Sequence, residues 1–536
     1  MTERAATRPA PTPPRHDTEP AVTGSARPRS LLFPRADDPL RDGLRDEPEF
    51  FHDLNLGPVV EAITAGRGEY DLEPFFRARL GDLDAIAYRQ EAMRDMEDRT
   101  LRLSVASFAE RMRTMRERLA VAGKSRYELE KRRWHLAAAE AYTEAVERLV
   151  HDLTEIDLSS RALRGFRDDL SACARSVSFR TLADEARSVV AALEAIRYCM
   201  LIHGDRVTVL PYDGENDYSA AVEETFRKFR QGAVKDYRRQ FKDASGMNHV
   251  EAEVAYRVAL LNPDTFGALA RFCGRHADFV DPAIASFDRE VQFYAATLEF
   301  ADRLRETGLP FCIPEISDRR KDVFARGTFD VALATKRVRE GATVVTNDFF
   351  LQGDERILVV TGPNQGGKTT LARTFGQTHY LASLGCPVPG TQARLFLYDR
   401  LFTHFEREED ITNLRGKLED DLVRIRGILG HATPESVVII NEIFSSTTLE
   451  DALFLGREVL ARLVGLDLLC VFVTFLDELS ALGEKTVSMV AAVDARDPAR
   501  RTFKVERQPA DGLAYALAIA EKHRVTYRDL TERIRT

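Results

Sequence analysis

A glycine-rich stretch in the C-terminal half of the chain has the residue types and spacing that bind phosphate groups. The β-branched apolar run 358–361 leads into the pattern G-x-x-x-x-G-K-T, and a helical pattern begins at Leu371. A strand, a glycine-rich loop and a helix N-terminus, in that order, form the context of a P-loop. There, backbone N–H groups surround phosphate oxygens and the helix dipole adds positive potential. We therefore predict a nucleotide site rather than a plain glycine turn, formed by Gly362, Pro363, Asn364, Gln365, Gly366, Gly367, Lys368, Thr369 and Thr370.

Two side chains of this loop have defined chemical roles in a P-loop. Lys368 is expected to reach the β- and γ-phosphates, and the Thr369 hydroxyl is expected to bind Mg²⁺. The predicted cofactors are therefore ATP and Mg²⁺.

A second apolar run, Val437 to Ile440, ends in two polar residues. Glu442 lies where a carboxylate orients or deprotonates the attacking water, which makes Glu442 and Lys368 the predicted catalytic residues. Asn441 occupies the position where an aspartate usually binds Mg²⁺, so the predicted metal ligands are Thr369 and Asn441. Because the Asn441 amide is neutral, we expect weaker Mg²⁺ binding and slower hydrolysis. An ordinary acidic strand end is the alternative reading of this run.

The composition of the chain limits its class. With 536 residues and a net charge of −9, about two to four domains are expected, without a global attraction to nucleic acid. No signal-peptide apolar region is present at the N-terminus, and Asp467 interrupts the longest apolar run, so we expect a soluble, cytoplasmic protein away from membranes. The cysteines form no C-x-x-C pair, which argues for reduced thiols and against a zinc site. They are Cys173, Cys199, Cys273, Cys312, Cys386 and Cys470.

The patterning predicts a disordered tail (1–45), an α-helical core and lever region (46–310) and an α/β P-loop domain of the ABC type (311–536). The seams Phe108-Met112-Met115-Leu119 and Tyr142-Val146-Leu149-Leu153 predict two long helices, separated by a turn at Gly123. Their charged faces are either solvated or in contact with a phosphate backbone. Further helices are expected at 226–241, 251–261 and 284–307, a loop at 213–217, and strands at 207–210, 331–334, 344–345, 357–360, 394–397, 470–475 and 502–505.

Several motifs of the C-terminal part resemble the ATPase domain of the MutS DNA mismatch repair family. The family loop T-G-P-N-x-G-G-K-[ST]-T is similar to residues 361–370, and its D-E-I-G-R-G-T-S-T-x-D-G segment aligns with residues 441–452. Asn347-Asp348 resembles the Asn-Asp before the loop, and residues 474–479 resemble T-H-x-x-E-L. Looser similarity is found at residues 76–96 and 512–515. The resemblance implies an ATPase that dimerises, places one subunit's signature helix against the other's ATP, and holds DNA.

Three positions depart from the family pattern. The signature serine is missing from residues 416–420, Phe475 replaces the switch histidine, and Asn441 replaces the aspartate. The family's mismatch-reading and connector domains are not expected, because a tail is all that precedes residue 48, and the C-terminal nuclease-like module is not expected either. We predict a MutS-type homodimer that binds ATP, hydrolyses it slowly and holds mismatched or branched DNA. The alternative is a nucleotide-gated dimeric switch that does not recognise DNA; a P-loop transporter ATPase fits less well.

Overall fold

The protein is seen in a computed structural model. It describes residues 29–35, 37–204, 206–215, 218, 246–406, 416–494, 501–510, 526–527 and 530–531. The predicted helix at 226–241 and the motif at 512–515 lie outside these residues, as do Asn216 and Asp217 of the predicted loop. Among the described helices, none is long and apolar enough to cross a membrane.

The described residues of the N-terminal part form helices and one β-hairpin. Its helices are α1 (Phe50–Asp53), α2 (Leu56–Thr64), α3 (Glu73–Arg77), α4 (Leu83–Asp95), α5 (Arg99–Lys124), α6 (Glu128–Glu155), α7 (Arg161–Arg175), α8 (Val177–Glu194), α9 (His249–Leu261), α10 (Pro263–Arg275) and α11 (Pro282–Arg305). The hairpin pairs β1 (Tyr198–His203) with β2 (Arg206–Pro211), which confirms the short strand predicted at 207–210.

The two long helices follow from their apolar seams. The Asp98 side chain caps α5 by accepting from the Leu101 N–H. Helices α5 and α6 form an antiparallel pair, in which Arg118 of α5 donates to the carbonyl of Ala137 at 2.7 Å. The turn begins at Ser125 instead of at Gly123, because α5 continues to Lys124.

A short segment before α1 corrects the predicted tail. Ser30, Leu31, Leu32 and Phe33 are buried, so the prediction of disorder up to residue 45 is wrong there. Side chains of the helical core satisfy the backbone of this segment: Glu290 accepts from the Leu31 N–H at 2.6 Å. In addition, Tyr294 and Arg89 donate to the carbonyls of Leu31 and Leu32. The run of three apolar residues was too short to show a periodic pattern.

The C-terminal part alternates strands and helices. Its strands are β3 (Phe311–Cys312), β4 (Glu315–Ser317), β5 (Val323–Thr328), β6 (Asn347–Leu351), β7 (Ile357–Thr361), β8 (Val388–Pro389), β9 (Gln392–Phe396), β10 (Leu401–His404), β11 (Val437–Asn441), β12 (Leu469–Val473), β13 (Thr486–Val493) and β14 (Arg501–Arg507). The helices are α12 (Val331–Arg339), α13 (Lys368–Ser383), α14 (Lys417–His431) and α15 (Leu449–Leu466).

Within the described residues, a six-stranded sheet has the order β10-β11-β12-β7-β13-β14. Its first five strands are parallel and β14 is antiparallel. Parallel strands that end at one edge bring the loops after β7, β11 and β12 together. A second sheet has the order β4-β9-β5-β6, and β3 pairs with β8.

Two predicted strands are wrong. Residues 331–334 begin helix α12, because Asp330 caps the helix by accepting from the Leu333 N–H. Residues 344–345 lie outside any strand, and β6 starts at Asn347. A short apolar run does not distinguish a strand from a buried helical turn, which explains the first error.

The helical and α/β parts share one apolar core that extends from Leu31 to Val505. Helix α13 connects them directly: Gln377 donates to the carbonyl of Leu54 at 2.8 Å, and Tyr380 donates to that of Phe76 at 2.7 Å. Helix α13, which follows the predicted P-loop, is therefore fixed against α1–α3. The boundary near residue 310 remains a prediction.

Candidate nucleotide-binding site

The glycines of the loop after β7 are required by its geometry. Gly362 has a φ of +107°, and a Cβ there would lie 3.0 Å from the backbone N and O of Ala491. A Cβ on Gly366 would lie 2.8 Å from the Cβ of Ala491. Gly367 has a φ of +99° and is the N-cap of α13. The loop thus turns tightly against β13 and leaves the N-terminus of α13 open.

Lys368, the first residue of α13, is buried at the turn. Its Nζ donates to the carbonyl oxygens of Gly362 at 2.9 Å and Pro363 at 3.3 Å. The same ammonium lies 3.8 Å from Oε1 of Glu442 and 4.2 Å from the ring centroid of Phe475. Burial lowers the pKa of Lys368, and the Glu442 carboxylate opposes this shift.

The predicted metal ligands meet across the sheet edge. The Thr369 hydroxyl donates to Oδ1 of Asn441 at 2.9 Å. Both are hard oxygen ligands, which suit Mg²⁺. Among the described residues, no group of three or more His, Cys, Asp or Glu side chains could hold a metal ion. A Mg²⁺ ion would therefore depend on these two neutral oxygens together with phosphate oxygens, and the residues fit that role.

Glu442 follows β11 in a left-handed conformation, with a φ of +57°. Its N–H donates to the carbonyl of Val473 at 2.9 Å, which holds it against the end of β12. Burial raises the pKa of the Glu442 carboxyl, while Lys368 lowers it and Glu406 raises it further. A carboxylate with a raised pKa beside a buried ammonium is suited to accept a proton from water.

A cavity of about 450 Å³ opens beside the loop. Residues 365–370 and Glu442 line it, together with residues that were not predicted as site residues. These are Leu333, Lys336 and Arg337 of α12, Glu340, residues 343–345 and Phe503 of β14. Two features of the sequence could have predicted α12: Asp330 as a helix N-cap and the basic residues in the last turn.

Four predicted site residues do not line this cavity: Gly362, Pro363, Asn364 and Asn441. The carbonyls of Gly362 and Pro363 hold Lys368, and the carbonyl of Asn364 accepts from Arg501 at 3.1 Å. Asn347 lines the cavity and links β6 to β14, since its Oδ1 accepts from the Val505 N–H at 2.8 Å.

A comparison with known families agrees with this geometry. The family model for MutS domain V matches residues 358–526. This C-terminal region is therefore similar to domain V of the MutS family. The MutS match contains the P-loop, Asn441, Glu442 and Phe475, whereas α12 and Asn347 precede it.

Similar curated proteins include several that are named DNA mismatch repair protein MutS. The "DNA mismatch repair protein MutS" of Geobacillus sp. is 28% identical over 215 residues, which are 39% of this chain and 24% of that protein. The protein of that name from Brevibacillus brevis is 30% identical over 220 residues, 39% of this chain and 25% of its own length. The protein of that name from Erythrobacter litoralis is 30% identical over 216 residues, which are 39% of this chain and 24% of that protein. The chain therefore matches about a quarter of the length of these MutS relatives.

Proposed function

We propose that this chain is a MutS-type ATPase that binds ATP and Mg²⁺ in the cavity beside the P-loop. One observation carries the proposal: Lys368 and Glu442 converge at 3.8 Å on the open N-terminus of α13, beside the Thr369–Asn441 pair. The strand order around β7 supports an ABC-type arrangement of the ATPase domain. The match to MutS domain V supports the family assignment on which the proposal rests.

Each residue of the site has a separate role in ATP binding or hydrolysis. The backbone N–H groups at the start of α13 bind phosphate oxygens, and Lys368 exchanges its carbonyl partners for the β- and γ-phosphates. Glu442 orients the attacking water and accepts its proton. Bound Mg²⁺ would neutralise phosphate charge, held by Thr369 directly and by Asn441 directly or through water.

Three features support slow hydrolysis. Asn441 contributes no negative charge to Mg²⁺. Phe475 places a ring over Lys368, and this ring has no donor for a γ-phosphate. Gly416 is the N-cap of α14 and has no side chain to offer a partner's nucleotide. Losing such a donor or metal ligand costs on the order of 10- to 1000-fold in rate.

The proposed partners of the chain are a second copy of itself and DNA. The relatives are named DNA mismatch repair proteins, and on that similarity we infer that the chain acts as a homodimer that holds mismatched or branched DNA. The α5–α6 pair is the element that would contact the DNA, since these are the two longest of the described helices.

A nucleotide-gated switch without DNA recognition is the second candidate. It is favoured by the ion pairs on α5 and α6, because arginines held by carboxylates are less available to a phosphate backbone. The pairs are Arg111–Glu144, Arg113–Glu69, Arg116–Glu69, Arg132–Glu128 and Arg133–Glu140.

ATP turnover with and without DNA separates the two candidates. Homoduplex, mismatched and branched duplexes would be added to purified protein at several salt concentrations, with dimerisation followed by light scattering. The MutS-type proposal predicts turnover that mismatched or branched DNA stimulates. ATP-dependent dimerisation with no effect of any DNA on turnover would favour the switch.

A further inference from the structure

Helix α14 and strand β10 meet the segment that carries Glu442. We propose that Asp421 is a positioning residue that, together with His404, fixes residues 442–444 in the conformation that directs Glu442 at Lys368. The inference deepens the proposed function and rests on it, because ATP hydrolysis is the reaction that this positioning serves.

The segment 442–444 contains two non-glycine residues in the left-handed backbone conformation, which is energetically unfavourable for them. Glu442 has a φ of +57° and Phe444 a φ of +60°. Left-handed conformations are unfavourable for residues other than glycine, and most of all for bulky side chains. Such a conformation persists where the surrounding structure imposes it. Part of that constraint is apolar, since the Phe444 side chain is buried in the core cluster with Phe472 and Leu479.

The polar part of the constraint comes from Asp421. Its Oδ2 accepts from the Phe444 N–H at 3.2 Å, and its Oδ1 lies 3.3 Å from Nε2 of His404. Asp421 and His404 are both buried. His404 ends β10 and lies opposite Ile440 in the parallel pairing, so the carboxylate joins the end of β10 to the loop after β11.

This arrangement connects Glu442 to the first turns of α14. Asp421 is the fifth residue of the helix, and Lys417 at its start pairs with Glu406 just after β10. Arg424 also donates to the carbonyl of Phe405 at 3.0 Å, so α14 is fixed to this strand end on both sides of Asp421. A displacement of the start of α14 would reach Glu442 through the Asp421–Phe444 hydrogen bond.

The test combines amide hydrogen exchange with ATP kinetics in the full chain. Asp421→Ala is expected to speed exchange over residues 441–446 at least about tenfold, since the Phe444 N–H loses its acceptor. It is expected to lower kcat by about 10- to 100-fold while the Kd for ATP stays within about threefold, because Glu442 is misplaced and the P-loop is not. Asp421→Asn keeps a weaker, neutral acceptor and should change both readouts in the same direction by less. Should the alanine variant fail to fold, the asparagine variant decides.

Arg426→Ala is the matched control, because Arg426 is exposed on the same helix. It should leave both readouts unchanged. In a Glu442→Gln background, Asp421→Ala should lower turnover no further. A merely structural role would instead lower the melting temperature and the ATP affinity together.

The two proposals fail in different ways. Unchanged exchange at 441–446, or an unchanged kcat, in both Asp421 variants would overturn the positioning role even if the wild type hydrolyses ATP. A wild type that binds ATP without turnover, together with faster exchange in the Asp421 variants, would contradict the ATPase function and support the positioning.

Discussion

Replacement of Lys368 by methionine tests the phosphate site most selectively. Lys368 is 4% exposed, and its ammonium donates to two backbone carbonyls; methionine keeps the apolar stem and removes the ammonium. Burial lowers the pKa of this group, so its charged form is disfavoured by its surroundings. The carbonyls of Gly362 and Pro363 lose their donor in this variant, so we expect the free energy of unfolding to fall by about 1–3 kcal/mol.

Nucleotide affinity is expected to fall as well. A charge-assisted hydrogen bond contributes about 1.5–3 kcal/mol, so losing the contact to phosphate should raise the Kd for ATP by about 10- to 100-fold. Isothermal titration calorimetry measures this Kd, and thermal unfolding measures stability on the same samples. Lys131→Met, an exposed position on α6, is the control and should change neither quantity.

The result that would refute this reasoning is an ATP affinity within threefold of the wild type in Lys368→Met. Lys368 would then hold the loop together without contacting phosphate. A large loss of stability with unchanged affinity in the remaining folded protein would point to the same conclusion.

Three further changes have expected outcomes. Asn441→Asp restores a carboxylate beside Thr369, so turnover should rise on the order of tenfold and saturate at lower Mg²⁺ in a metal titration; no change in the Mg²⁺ dependence would contradict the assigned ligand. Phe475→His supplies a donor near Lys368 and should raise kcat on the order of tenfold, whereas Phe475→Leu, which removes the ring alone, should not. Burial lowers the pKa of His379 to about 4, so the neutral ring favours folding above its unfolded pKa and this contribution is lost as the pH falls. The unfolding free energy of the wild type should therefore fall by about 2 kcal/mol more than that of His379→Gln between pH 7.5 and pH 5; chemical denaturation measures it, with exposed His52→Gln as control, and equal losses would refute the assignment.

Helices and strands were predictable from the sequence where apolar residues recur at regular spacing or form a continuous run. Helices α5, α6 and α11 and strands β7, β9, β11, β12 and β14 were expected from their apolar periodicity or runs, and the structure confirms them. Helix α12 and the buried segment 30–33 were not, because their folding depends on partners far along the chain. Gln377 donates to the Asp330 cap at 2.9 Å, and Glu290 holds Leu31, which no local pattern reveals.

The candidate site also contains residues that local sequence patterns predict and residues that only tertiary contacts bring together. The loop and the end of β11 were predicted as site residues from their spacing, since the chemistry of a P-loop depends on consecutive residues. Residues of α12 and Phe503 also line the cavity, and the Phe444 N–H beside Glu442 donates to Asp421. These groups approach the loop through the parallel sheet and the crossing helices, so their role depends on tertiary contacts.

Single-turnover hydrolysis of ATP by the purified protein, compared with Glu442→Gln, tests the central claim most directly. Protein in excess over radiolabelled ATP and Mg²⁺ would be quenched over time, with bound nucleotide measured in parallel. We expect that both proteins bind ATP, that the wild type converts it slowly to ADP, and that Glu442→Gln lowers the rate of this conversion by at least about 100-fold. Equal rates in the two proteins, or tight binding with no ADP formed by the wild type, would contradict it.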